Sequence, residues 1–506
     1  MSAFVTDQFR ILNAGSFVES ISNNSYYAFL GLSNPKSPDP GFGRDPNWDT
    51  STTNNPVDNF QYLSHYRDTS LFGKKITTEN ARRVIRKVEW VANTPYDMYR
   101  HDYRQGNEAP VSKTVRLYDA NYYVVTSEFK VYICIDNGSS TPDGTDPTVT
   151  GSTIEPTHTD VEPVTFSDNY RWKYLFSISP SDVIKFDSTE YITVPNNWET
   201  TTNSDIQTIR EGGDSDTNNN QIKAVYIENG GSDYTTGTTA NILGDGTGGK
   251  VSITADTEGT ITDVVVINGG KGYTYGIIDL KTSSGSGSKL IPIIPPSKGH
   301  GYNIYEELGT DKVLMYARFD DSTKDFPIDA KFAQVGIIKN PETFSGAGVT
   351  FTGNTFSSLS GIGLSESRDV VIGEQITQNV TGAKGYVASF DKDTKVLKYY
   401  QDRSLCFGNK VDQTASNSTT NIIAFDSTNQ ITFSLSSPSS ASINTNLDGS
   451  VVVVNNKQIN LGVTFTNGLA NPEINKKTGN IIYIDNRPEV QRDSRQKEDI
   501  KIILEF

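Results

Sequence analysis

The chain has 506 residues, with 60 acidic against 45 basic side chains and a net charge of −15. That balance disfavours nucleic acid as the main partner, because neutralising phosphates takes a basic face. The length exceeds one compact core, so about two to four domains are expected.

Composition points to β structure. The 42 Gly, 25 Tyr and 23 Phe fit a strand-rich protein with many turns, while 4 His, 3 Met and 4 Trp leave little for a histidine-based metal or acid–base centre. Cys134 and Cys406 lie far apart; a single bridge is one reading, and two free thiols of a reducing compartment the better one. No apolar run approaches the ~20 residues that span a bilayer, and Met1-Ser2-Ala3-Phe4 does not open a signal peptide.

In chain order, Ser16 is the expected N-cap of a short helix, with Glu19 three residues on and Phe17, Val18 and Ile21 as its apolar face. Residues 26–32 read as a buried strand. Residues 33–59 form a long polar loop holding Phe42 and Trp48, a length typical of functional or partner-clamped segments. Thr77 or Thr78 caps an expected second helix, with Ala81, Val84, Ile85 and Val88 on one face. Its other face carries Arg82, Arg83, Arg86 and Lys87, the densest basic cluster of an acidic chain. The bland reading is a solvated face; the functional one is a partner-docking patch for an acidic neighbour. Strands follow at 114–118, 122–125 and 128–136, then a second long loop over 137–162.

The segment 167–178 holds the richest aromatic alternation. Tyr170, Trp172, Tyr174 and Phe176 share one face, as candidate core, and Arg171 and Lys173 share the other. Period two in such a run predicts a half-buried strand, with Asp168-Asn169 as the preceding turn and Pro180 as the stop.

Residues 201–221 read as a linker. Beyond them Val225-Tyr226-Ile227-Glu228-Asn229-Gly230-Gly231 recurs as Val264-Val265-Val266-Ile267-Asn268-Gly269-Gly270, an offset of 39, with Tyr234 matched by Tyr273. Each copy is expected to be a hairpin turning on Asn-Gly, its tyrosine covering the turn. Two copies are too few for a solenoid and predict a small β-domain. Strands at 313–319 and 332–338 follow, then Gly/Ser/Thr/Asn-rich sequence over 342–475 with a β-meander at 372–400 and strands at 451–454 and 461–465. Residues 481–484 and 500–506 close the chain, the last expected inside a sheet because a frayed apolar strand would expose its edge.

Chemistry is sparse. Gly244-Asp245-Gly246-Thr247-Gly248-Gly249 leads into a strand, not the helix N-terminus that a phosphate site needs. Asp214, Asp216, Asn218 and Asn220 have the spacing that opens a calcium loop but lack its central Gly and closing Glu, so a linker is the better reading. His65, His101, His158 and His300 form no ligand or nucleophile pattern. No catalytic, cofactor or metal residue is nominated.

Several stretches resemble a known family. They are Val5-Thr6-x-x-Phe9-Arg10, Val131-Tyr132-x-Cys134-Ile135-Asp136, Asp168-x-Tyr170-x-Trp172-x-Tyr174-Leu175-Phe176, Glu190-Tyr191-Ile192-x-Val194-Pro195, Gln334-Val335-Gly336-Ile337-Ile338-x-Asn340-Pro341 and the closing Gly479–Pro488 and Glu498–Phe506. In this order they resemble the baseplate wedge subunit encoded by gene eight of T-even-type contractile-tailed phages. The resemblance implies a mainly β protein, with a layered β-sandwich body, a few short helices in loops and two inserted small β-domains. Wedge body would occupy 1–204, 303–342 and 476–506, and inserts 205–302 and 343–475. It further implies a non-enzymatic, cofactor-free homodimer in the virion tail, assembled in the host cytoplasm beside proteins resembling the products of genes six, seven and ten, with no nucleic acid partner and no membrane span. The loops 33–59 and 137–162 and the basic cluster would make its contacts. The alternative is a receptor- or glycan-binding tail protein, with Tyr234, Tyr273 or Tyr386 of the inserts stacking on sugars; a polysaccharide depolymerase is a more distant third.

Overall fold

Alternating apolar residues and turn-forming glycines and asparagines give a mainly β chain with a few short helices. The structure, a computed structural model, describes residues 5–32, 63, 66–141, 143, 147–212, 220–280, 284–320, 331–401, 423–491 and 496–506. The 33–59 loop, most of the calcium-like 214–220 stretch, His65 and Cys406 lie outside them.

The chain opens with α1 (Asp7–Asn23), β1 (Tyr26–Gly31), β2 (Ser70–Ile76), β3 (Ala81–Arg86), β4 (Tyr123–Val125) and β5 (Lys130–Asp136). Next come β6 (Val164–Thr165), β7 (Arg171–Ser177), α2 (Pro180–Phe186), β8 (Tyr191–Val194) and α3 (Ser204–Glu211). The repeat supplies β9 (Val225–Asn229), β10 (Thr239–Gly244), β11 (Lys250–Ala255), β12 (Ile261–Asn268), β13 (Gly276–Asp279) and β14 (Lys289–Pro292). After α4 (Ile304–Glu307) follow β15 (Lys312–Phe319), β16 (Lys331–Lys339), β17 (Thr355–Ser357), β18 (Ser360–Gly363), β19 (Gln375–Gln378), β20 (Ala383–Asp391) and β21 (Val396–Tyr400). The last are β22 (Ile431–Phe433), β23 (Ser440–Ala441), β24 (Gly449–Val454), β25 (Lys457–Thr466), β26 (Leu469–Ala470), β27 (Asn480–Gln491) and β28 (Glu498–Glu505). Two compact units result: Met1–Val18 with Arg82–Leu314 and Ile503–Phe506, and Glu19–Ala81 with Met315–Ile502.

In the first unit the sheet β4-β5-β7-β6 carries the aromatic strand. β7 runs antiparallel to β5, with Phe176 opposite Val131, Tyr174 opposite Tyr132 and Trp172 opposite Cys134. Tyr170, Trp172, Tyr174 and Phe176 are all buried in one cluster with Tyr96, Tyr99 and Trp198. Tyr170 stacks on Trp172 with ring centroids 5.6 Å apart, and Tyr96 meets both edge-on. The Tyr170 hydroxyl donates to Thr150 O and accepts from Tyr96 N, so burial leaves no polar atom of that ring unsatisfied. The other face was expected to be polar, yet Lys173 is 0% exposed. Its Nζ donates to the Val161 carbonyl. Burial, reinforced by nearby Lys223 and opposed by Glu307 and Glu162, pushes its pKa down to about 8.

The repeat folds differently from two hairpins. Asn229 and Asn268 each accept, through Oδ1, the N–H two residues on, at Gly231 and Gly270, and both glycines have positive φ. This Asx turn carries the chain away from its own strand. Strands of one copy then pair with strands of the other: β9 with β14, β11 with β12, and β10 with β13.

In the second unit β1 sits within the sheet β17-β2-β1-β16-β27. Tyr27 and Phe29 of β1 pack with Ile338, Phe356 and Ile474. β27 pairs with β16, and the buried Gln334 amide donates to Asn486 Oδ1 at 2.8 Å. A nine-stranded sheet, β23-β22-β19-β20-β21-β18-β26-β25-β24, holds a separate cluster of Ile362, Ile376, Leu397, Tyr399 and Phe433.

Four local expectations are corrected. The first helix starts at Asp7, not after Ser16, because Thr6 caps it: Phe9 N donates to Thr6 Oγ1 and Arg10 N to Thr6 O. Its buried stripe is Ile11, Ala14, Val18 and Ile21. The expected helix after Thr78 is one 3-10 turn, Thr78–Asn80, running into β3; adjacent Val84 and Ile85 pair with β8, where branched side chains suit a sheet. Residues 114–118 make no strand, and a 3-10 turn forms at Leu117–Asp119. Finally, β28 ends its sheet instead of lying inside one. Exposed Asp499, Lys501 and Glu505 line it, a charged edge that discourages further pairing.

Candidate partner-docking site

The basic cluster lies on β3 and the residue that follows it, where alternation sends its members in different directions. Arg82 is turned toward α2, whose N-cap Ser179 and Pro180 set its first turn. There its Nε donates to both carboxylate oxygens of Asp182, at 3.2 and 3.1 Å, and its guanidinium covers the Phe186 ring. The Arg83 guanidinium lies 3.7 Å from the Tyr305 ring centroid. Lys87 bridges Asp187 at 3.2 Å and Glu89 at 3.0 Å. Partial burial opposes its charge, but the two carboxylates prevail and hold its pKa above the usual lysine value. These three cations are engaged within the fold.

Arg86 differs. It is exposed, and its Nη2 donates only to carbonyls, Asp119 O at 3.1 Å and Ala120 O at 3.0 Å. It lines a cleft of about 180 Å³ with Arg10, Arg116, Lys312, Asp7, Asp119, Asp311 and Glu505. Tyrosine hydroxyls fix the walls, Tyr118 donating to Glu306 O and Tyr123 to Arg86 O. Within the cleft Arg116 pairs with Asp7 and Asp119, and Lys312 with Asp311 and Glu505. Among the described residues Arg10 and Arg86 make no ion pair. The cleft therefore presents two guanidiniums able to take an incoming carboxylate in bidentate fashion. Arg10 lies 76 positions from Arg86 and Lys312 still further, so sequence spacing gives no sign of the cleft.

A second charged group lies deeper and was also missed. Glu307, 1% exposed, accepts from Gly301 N and shares a hydrogen bond with His300 Nδ1, both at 2.6 Å. The His300 ring sits edge-on to Tyr99. Every oxygen of that carboxylate is used to hold the 300–307 turn, a structural task. His101 accepts from Ile294 N and His158 lies against Trp172 O, and burial holds both below the ordinary histidine pKa.

Tyr234 and Tyr273 of the first insert face inward. Tyr273 is 2% and Tyr234 7% exposed. The Tyr273 hydroxyl donates to Ile242 O and accepts from Gly249 N, and the Tyr234 hydroxyl is bonded to Ser288 Oγ. Tyr386 stacks on Tyr400. The sugar-stacking role assigned to the first two rings has no accessible face to act through. Of the 137–162 loop, Ser140 and Thr141 bond to β9. Among the described residues no group of three or more His, Cys, Asp or Glu could hold a metal, and no helix is long and apolar enough to cross a membrane. No protein-family model and no curated protein matches the chain.

Proposed function

We propose that this chain is a structural subunit of a phage tail baseplate wedge, serving wedge assembly and relaying the conformational change that triggers sheath contraction. What supports the reading is where the family-like segments fall. Stretches far apart in sequence are hydrogen-bonded neighbours: β5 pairs with β7, and β16 with β27. The resemblance thus follows the strands that build each unit, as a shared scaffold would. In this reading the subunit is a non-enzymatic homodimer in the virion, and its neighbours resemble the products of genes six, seven and ten.

The docking element is the cleft, with Arg10 and Arg86 receiving carboxylates of a neighbouring wedge protein. Charge reversal tests it: Arg10→Glu with Arg86→Glu should leave the melting temperature within a few degrees and abolish wedge formation from purified components on a native gel. Normal wedges from that variant would remove the cleft from assembly. Failure of the wild-type chain to enter any wedge would remove the baseplate reading itself.

A further inference from the structure

The repeat module holds an internal comparison. Shifting residue numbers by the 39-residue offset maps one strand pair onto the other. Ile227 opposite Leu290 becomes Val266 opposite Val251, and Tyr226 opposite Ile291 becomes Val265 opposite Ser252. The bulge after Lys289 recurs after Lys250. The bridge Ser232↔Ser286 recurs as Lys271↔Thr247, and the β10–β13 pair maps onto itself. The module is a pseudo-two-fold object in which β9 and β12 occupy equivalent places.

Their outer edges are treated differently. Along β9, Thr141 N donates to Ile227 O at 2.8 Å, and Ile227 N donates to Ser140 Oγ at 3.3 Å. Tyr226 is buried, with the Arg100 guanidinium 4.0 Å from its ring centroid and its hydroxyl donating to Ser139 O. This edge seats the module on the rest of its unit. The equivalent edge of β12 ends its sheet: Ile261 N donates to Gly230 O at its start, and among the described residues no segment hydrogen-bonds to the outer edge of residues 263–267. The position matching Tyr226 is Val265, 53% exposed, and Ile267 beside it is 55% exposed. No lysine, proline or other guard protects residues 264–267, which are three valines and an isoleucine.

We infer that β12 is an association site for a second copy of this chain, the two β12 strands pairing antiparallel about a two-fold axis at Val265. The sequence is self-complementary in that register. Val264 faces Val266, Val265 faces its own copy and Asp263 faces Ile267, so no like charges meet. Past the strand ends, the acidic turn holding Asp256 and Glu258 of one molecule comes alongside Lys271 of the other. By equivalence with Ile227, the Val266 peptide groups point away from β11, and those of Val264 share that direction. Val264 and Val266 therefore form the hydrogen-bonded pair. Val265 faces its copy in the closer, non-bonded pair. Each edge closes the other, as an isologous contact requires. The inference does not depend on the baseplate reading.

The test is a cysteine cross-link in the full chain carrying Cys406→Ser. Val265→Cys should oxidise to a covalent dimer at least ~10-fold faster than Ile277→Cys, which is 63% exposed but lies on β13 at the other end of the sheet. In sedimentation velocity, Val266→Pro and Val265→Lys should each weaken self-association at least ~10-fold, with near-ultraviolet circular dichroism unchanged. Equal cross-linking at the two positions would overturn the proposal. So would a wild-type chain that stays monomeric across the concentration series, or association that persists in folded Val265→Lys.

Discussion

At the scale of single residues, Lys173 shows how far a side chain's surroundings depend on distant sequence. In the alternation of 170–176 it takes a polar slot, and nothing nearby marks it as enclosed. The Val161 carbonyl, Lys223 and the 300–307 turn bury it, all remote in sequence. The aromatic half of the strand was legible because it rests on side-chain chemistry and period alone. The fate of the other face was not. The consequence is a pH signature. The folded pKa, about 8, lies below the unfolded lysine value of 10.5, so between those values the unfolded chain binds more protons and stability rises with pH. Relative to Lys173→Met, the wild type should gain at least ~1 kcal/mol between pH 7 and pH 10, read from urea midpoints at both pH values. A constant difference would mean that the ammonium is solvated. On the aromatic face, Phe176→Ala should cost ~3–5 kcal/mol by the same measurement.

At the scale of elements, the repeat was visible but its connectivity was not. An offset of 39 announces two copies, and Asn-Gly suggests that each closes on itself. The structure exchanges partners because Gly231 and Gly270, at φ +65° and +63°, direct the chain outward. A Cβ at Gly270 would lie 2.5 Å from Thr247 O, whereas Gly237, also at positive φ, has nothing within 4 Å. Gly270→Ala should therefore destabilise by ~2 kcal/mol or more beyond Gly237→Ala, since both share the backbone strain and only one meets a neighbour. Differential scanning calorimetry of the two variants would show it; equal melting temperatures would contradict the packing at this turn. The basic cluster went astray for a related reason. Apolar residues at Ala81, Val84, Ile85 and Val88 satisfy helical spacing, yet the pairing of β3 with β8 decided the outcome and dispersed the four cations.

At the scale of the whole molecule, the β-rich class followed from composition, and the Arg10–Arg86 cleft did not, because it is assembled from α1, β3, the 116–123 segment and the residues beginning β15. Long-range pairing dominates. β16 takes β1 on one edge and β27 on the other, although β27 begins 141 positions after the last residue of β16. Ending the chain at Gly479 should strip β16 of that second neighbour and expose Ile337 and Ile338, which are otherwise buried. The truncated chain is expected in the insoluble fraction on expression at a temperature that leaves the full chain soluble. A soluble, monodisperse truncation would show that β27 is dispensable.

Each compact unit is built from separated stretches, and the first of them includes Ile503–Phe506. This bears on how the protein is made. At ribosomal rates of roughly 5–20 residues per second, a chain of 506 residues takes on the order of a minute to appear. Throughout that time neither unit has all of its strands, and the familiar order of N-terminal domain first is closed to it. The nascent chain must carry half-built sheets as it emerges, with β1 and β16 in hand and β27 still to come. The cell therefore meets this protein first as an unfinished one, and chaperone demand during synthesis should exceed what its finished stability would suggest.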